Sequence, residues 1–154
     1  MTEVVTALTA SVRPDDVSGR HIYHRWIRFA DIDAHGHVNN ARFLEYLEDA
    51  WIALYLNYAG ALREDRDGLP SVGMVIVRHE VAYRRPLKFR HRSVRIESWV
   101  TKVNGASGDL AAEIRSDDEV FLEACSTFAA VDPDTAKPRR FTAPERAFLE
   151  RYLP

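Results

Sequence analysis

RFADIDAHGHVNNARFLEYLEDAW, residues 28–51, decides the reading of this chain. Its ten-residue span from Asp31 to Asn40 holds two carboxylates, two histidines and two asparagines. From Ala41 to Tyr58 the apolar residues Phe43, Leu47, Ala50, Leu54 and Tyr58 then recur at steps of three and four, which predicts a helix. Leu44, Trp51 and Tyr55 widen the stripe, so the helix is expected to be largely surrounded by a sheet. Asn39 or Asn40 caps its start and Gly60 falls just past its end. Proton-moving side chains thus stand beside a helix N-terminus, whose free N–H groups and dipole favour negative charge. A group attacking a carbonyl needs a base on one side and oxyanion donors on the other, so the segment points to acyl-transfer or hydrolytic chemistry.

Strand signals follow on both sides. His21–Phe29 reads as a first strand leading into the motif. After a turn-rich loop at Arg63–Gly73, Met74–Tyr83 reads as a strand that Pro86 breaks. Val94, Ile96, Ser98 and Val100 alternate with polar neighbours through Thr101. Asn104–Gly108 supplies turn residues, and Leu110–Arg115 with Val120–Val131 forms a hairpin across Ser116–Glu119. Thr142 and Glu145 have capping-box spacing with Pro144 between them, starting a short C-terminal helix. One helix followed by consecutive strands implies an α+β fold with a mostly antiparallel five-stranded sheet. Residues 1–20 read as a flexible arm and residues 21–154 as a single domain.

Composition narrows the function classes. The formal net charge of −2 leaves no electrostatic footprint for nucleic acid. The one cysteine, Cys125, excludes an intrachain disulfide framework, fits a reducing compartment and reads as inert strand packing. With no apolar run long enough for a bilayer and no signal-like N-terminus, a soluble cytoplasmic protein is expected.

The residues Asp33, Gly36, His37, Val38, Asn39, Asn40, Ala41, Phe43, Tyr46 and Glu48 form D-x-x-G-H-V-N-N-A-x-F-x-x-Y-x-E. On these residues, and on the later VAYRRPLKFRHRSVRIESWV, the chain resembles the hotdog-fold thioesterases of the 4-hydroxybenzoyl-CoA and acyl-CoA thioesterase type. The resemblance implies a five-stranded sheet wrapped around the long helix. It also implies homodimers joined edge to edge, often paired into homotetramers, with active sites at the subunit interface. It places the catalytic carboxylate on Asp33 and the carbonyl-polarising N–H on the backbone of Asn40.

His37 corresponds to a catalytic histidine in the plant acyl-ACP enzymes, but to an apolar residue in other relatives. It either orients Asp33, relays a proton or hydrogen-bonds the helix start. Asp31 reads as a hydrogen-bonding residue of the loop, and Glu48, whose counterpart is the catalyst in a second hotdog lineage, as a supporting group. Asp33, His35 and His37 alternate in the way a metal site can begin, yet no fourth ligand is identifiable and the resembling family needs none, so no metal or cofactor is expected.

Arg84, Arg85, Lys88, Arg90 and Arg92 form a dense basic cluster suited to the phosphates of coenzyme A. Arg84, Arg85 and Lys88 are its chosen candidates, with Lys102 and Ser107 added from the family's strand-pair contacts. The expected function is hydrolysis of a fatty or aromatic acyl-CoA to acid and CoA. The alternatives are an acyl carrier protein as the thioester's carrier, a hotdog dehydratase or hydratase, and a non-catalytic acyl-CoA sensor.

Overall fold

The computed structural model describes residues 19–61 and 73–154, with helix residues 57–61 described by their backbone alone. Nearly all of the expected arm, and the expected 63–73 loop save Gly73, lie outside the described residues. The elements run β1 (His21–Trp26), α1 (Asn40–Ala61), β2 (Met74–Tyr83), β3 (Ser93–Val103), β4 (Ser107–Arg115), β5 (Val120–Ala130) and α2 (Ala143–Glu150). The five strands form one sheet in the order β1-β3-β4-β5-β2, with every neighbouring pair antiparallel.

Alternation sets which face of each strand is covered. Val94, Ile96, Ser98 and Val100 on β3, with Leu110, Ala112 and Ile114 on β4, point toward α1 and are buried. They meet Phe43, Tyr46, Leu47 and Ala50 in one cluster, and Trp51 and Leu54 with Phe128, Phe148 and Tyr152 in another. Each such large side chain contributes about 1.5–3 kcal/mol by leaving water.

Several boundaries differ from the sequence reading, among them β3, which runs to Val103 rather than Thr101, and β5, which ends at Ala130 rather than Val131. Phe29 is not strand: β1 stops at Trp26, and Phe29–Asp31 makes a single 3₁₀ turn. The cause is Asp31, whose carboxylate accepts from the Arg28 backbone N–H at 3.1 Å and bends the chain inward. Strand β4 begins at Ser107 rather than Leu110, because Gly108 lets the backbone press against the core. A β-carbon there would lie 2.5 Å from the Phe128 ring and 2.7 Å from the Lys102 carbonyl. Helix α1 runs through Gly60 to Ala61, the one- or two-residue drift common at frayed helix ends.

The helix is also less enclosed than its stripe suggested. One sheet covers one side, so Leu44 and Ile52 stand 36% and 44% exposed beside Glu45 and Glu48. The edge strand β2 is open as well, with Val75 and Val77 41% and 59% exposed.

Candidate active site

The site begins with a tight turn. Ile32 and Val38 bridge across it, the Asp33 N–H donates to the His37 carbonyl at 3.0 Å, and the Gly36 N–H returns to the Asp33 carbonyl at 3.0 Å. Gly36 closes the turn at φ +79°, a conformation that a side chain would strain. The Asp33 carboxylate is held on one oxygen by the His35 N–H at 2.9 Å and approached on the other by the Asn39 amide at 3.5 Å. The turn replaces the extended backbone that would have aligned Asp33, His35 and His37. Among the described residues no group of three or more histidine, cysteine or acidic side chains is placed to hold a metal.

Asn39 is the cap of α1. Its side-chain oxygen accepts from the Ala41 N–H at 2.9 Å, and its carbonyl accepts from Arg42 at 2.9 Å and Phe43 at 3.4 Å. The first-turn N–H left without an acceptor among the described residues is that of Asn40, which is exposed. No acidic residue of the helix's own first turn offsets its dipole. The Tyr83 hydroxyl donates to the Asn40 carbonyl at 3.0 Å, tying the helix start to the end of β2.

Asp31 fastens turn and helix together. It is 1% exposed, and its carboxylate accepts from the Tyr46 hydroxyl at 2.7 Å and from the Arg28 guanidinium at 2.8 and 3.1 Å. Its backbone carbonyl takes the Asn39 N–H at 2.9 Å. Burial alone would raise this carboxyl's pKa, but the hydrogen bonds from Arg28 and Tyr46 outweigh it and hold the group below the usual carboxylate range. Burial, reinforced by the neighbouring Asp31, pushes the Tyr46 hydroxyl up. Tyr46 and Tyr83 were missed as site residues in the sequence, because their partners lie 15 and 43 positions away.

The other candidates divide. His37 bridges Lys88 through its backbone, and its half-buried ring makes no hydrogen bond to Asp33 among the described residues. Arg84, Arg85 and Lys88 come to the same end of the sheet as the turn: the Arg84 and Arg85 N–H groups both reach the Phe121 carbonyl. Arg84 and Arg85 are ion-paired, to Glu123 at 2.6 Å and Glu119 at 3.5 Å. Lys102 and Ser107 lie at the opposite end, beside Asp109 and Ala129. At about 3.3 Å per residue, that is roughly 30 Å away along β3. Cys125 is not packed inside: it faces outward on β5, its thiol pKa raised by partial burial and by Asp109 and Glu80.

A groove of about 520 Å³ runs between the open side of α1 and the β2 edge, lined by Glu48, Trp51, Met74, Val75 and Val77 among others. No described helix is long and apolar enough to cross a membrane.

Residues 27–150 match the family model of the thioesterase-like superfamily. The chain belongs to that superfamily. It is a thioester hydrolase with the hotdog fold. The long-chain acyl-CoA thioesterase FadM of Escherichia coli is 32% identical to it over 135 residues, covering 82% of this chain and 95% of that one. A predicted thioesterase of Bacillus stearothermophilus shares the fold at a TM-score of 0.75 and 20% identity, over 87% of this chain and 96% of the other. A Thermus thermophilus thioesterase, solved with coenzyme A and zinc, does so at 0.72 and 23%, over 88% and 97%.

Proposed function

We propose that this protein hydrolyses acyl-CoA thioesters, with Asp33 as nucleophile or general base and the Asn40 N–H as oxyanion donor. The observation that carries this reading is the Asn40 N–H, without an acceptor among the described residues, at an acid-free helix start next in the chain to the cap that contacts Asp33. With the thioester oxygen on that N–H, the carbonyl carbon becomes the electrophile. One oxygen of Asp33 is occupied by the His35 N–H; the other, approached by the Asn39 amide at 3.5 Å, attacks carbon or takes a proton from an attacking water. Charge developing on the carbonyl oxygen meets a dipole end worth about +0.5 charge. Collapse of the tetrahedral species expels the CoA thiolate; on the general-base route this releases the free acid, and on the nucleophilic route water then hydrolyses the acyl–Asp33 anhydride to the acid and restores the carboxylate. The scheme requires no metal or redox cofactor.

The acyl chain lies in the groove between α1 and β2, where Trp51, Met74, Val75 and Val77 offer apolar wall. A second copy completes it. The β2 edge, which has no second strand neighbour among the described residues, pairs antiparallel with its own copy in a homodimer. That pairing sets the partner's Ser107 end against this protomer's Tyr83 end.

Thiol release from short, medium, long and aromatic acyl-CoAs, compared between wild type and Asp33→Asn, tests the reading. Turnover of some member that falls at least about a thousandfold in Asp33→Asn, with the melting curve intact, is the expected result. No turnover by the wild type sinks the reading, and an unchanged variant removes Asp33 from its centre. Matched acyl-ACP in the same assay decides between the two carriers.

A further inference from the structure

The proposed substrate carries a nucleotide, and the sheet's outer face has a groove of about 640 Å³ at the end where β1 leads into the catalytic turn. Register explains its floor: His24 on β1 lies opposite Arg95 on β3, which lies opposite Arg115 on β4. These three alternate with residues whose side chains enter the core, so they point away from α1. Trp26, opposite Ser93, forms one wall with its indole 64% exposed. Arg90 and Arg92 form another, two and four residues beyond the Lys88 that bridges His37.

Charge pairing in the groove is uneven. Arg95 holds Asp117 at 2.5 Å, Arg115 holds Glu113 at 3.0 Å, and the nearby Glu119 is matched by Arg85. Arg90 and Arg92 have no ion-pair partner among the described residues; the Arg90 guanidinium lies over the Phe121 ring at 5.0 Å. Asp118 also lines the groove and Arg92 acts on Asp117 at longer range, but two guanidinium groups without a direct ion pair among the described residues, beside a large exposed aromatic, suit a ligand with both a phosphate and a flat base. The expected phosphate candidates Arg84 and Arg85, in contrast, are spent on Glu123 and Glu119.

We infer that this outer groove binds the adenosine 3′-phosphate 5′-diphosphate end of the CoA substrate, with Trp26 stacking on the base and Arg90 and Arg92 taking phosphate. The inference rests on the acyl-CoA reading for its ligand, while its site is separate from the reacting centre. The nucleotide sits on the sheet's outer face, and the pantetheine arm crosses the sheet end beside Lys88 to reach Asn40.

Trp26→Ala and Arg92→Ala test it, both at exposed positions. The readout is the ratio of kcat/KM for an acyl-CoA to that for the same acyl group on pantetheine, which lacks the nucleotide. The ratio should fall about tenfold in each variant, carried by KM, since one base–aromatic stack or one phosphate contact is worth that much. A ratio equal to wild type in both, or a fall confined to Arg84→Ala, overturns the inference. Calorimetry with adenosine 3′,5′-bisphosphate separates the two readings. Binding lost in Trp26→Ala supports the groove even if no thioester is turned over, and turnover without such binding removes the groove and leaves the hydrolase.

Discussion

The two helices of this protein start in the same chemical language and end with opposite outcomes. Each N-terminus has a buried carboxylate tied to an arginine: Asp31 to Arg28 at α1, Glu145 to Arg139 at α2. At α2 the carboxylate belongs to the helix's own first turn. It accepts from the Thr142 N–H at 2.8 Å while Thr142 accepts from Glu145 at 3.3 Å, closing a reciprocal box. At α1 the acid sits outside the helix, the cap is the neutral Asn39, and the first turn has no acid. An acid inside the first turn consumes the helix's positive end. An acid placed outside it fixes the helix start and leaves that end available to a ligand's developing charge.

The sharpest way to break the contrast is Asn40→Pro. Proline is well accommodated at the first helical position, and a capping residue takes the extended backbone that proline demands of its predecessor. The substitution therefore deletes one N–H and little else. At α1 it should lower kcat by about a hundred- to a thousandfold, the cost of one oxyanion donor, with the thermal midpoint nearly unmoved. Steady-state kinetics beside a melting curve gives the answer; a kcat within about threefold of wild type, far short of that cost, would mean that the donor lies elsewhere.

A smaller effect separates the two buried acids. Tyr46→Phe strips a 2.7 Å hydrogen bond from Asp31, and Glu145→Gln weakens the pair with Arg139; each should cost about 1–3 kcal/mol in urea unfolding. On the proposed role of Asp33, only Tyr46→Phe should also reduce kcat, because only Asp31 holds the Asp33 turn. The pH dependence is common to both ends. Burial raises both carboxyls, but their arginine and further hydrogen bonds win, so both folded pKa values lie below the ordinary range. Such groups stabilise the fold above the usual carboxylate pKa of about 4, and that contribution drains away as pH falls through the folded values. Unfolding midpoints measured down the acid limb should flatten in Asp31→Asn and in Glu145→Gln, and a limb as steep as wild type in both would remove these acids from its origin.

How far the sequence alone reaches follows the same division between local and distant contacts. The α2 box could be read from four consecutive residues, since every partner lies within three positions. The helix α1 and a cap at Asn39 or Asn40 were legible for that reason, as was β2, whose bounds match the expectation from Met74 to Tyr83. Strand order was not, because no local pattern says that β2 returns beside β5 and ends the row of described strands. The turn residues Asp33 and Gly36 could be picked out, but not the Tyr46 and Tyr83 hydroxyls that fix the surrounding backbone from afar. The basic cluster was visible as composition. Which of its members remain unpaired depends on Glu119 and Glu123, more than thirty positions away.

The finest test compares the two caps. Asn39→Ala and Thr142→Ala each remove one side-chain acceptor from a helix start, worth about 0.5–2 kcal/mol, so their unfolding midpoints should fall together. Thr142→Ala also breaks the hydroxyl half of the α2 box, which lies away from the Asp33 turn, and its kcat should follow wild type. Asn39→Ala frees the second Asp33 oxygen from its 3.5 Å amide contact and loosens the cap on which the Asn40 peptide is hung. Its kcat should fall several-fold beyond anything its stability loss explains. Equal kinetics in the two variants would show that the α1 cap does no more than the α2 cap, and that Asp33 is oriented by the His35 N–H and the turn alone.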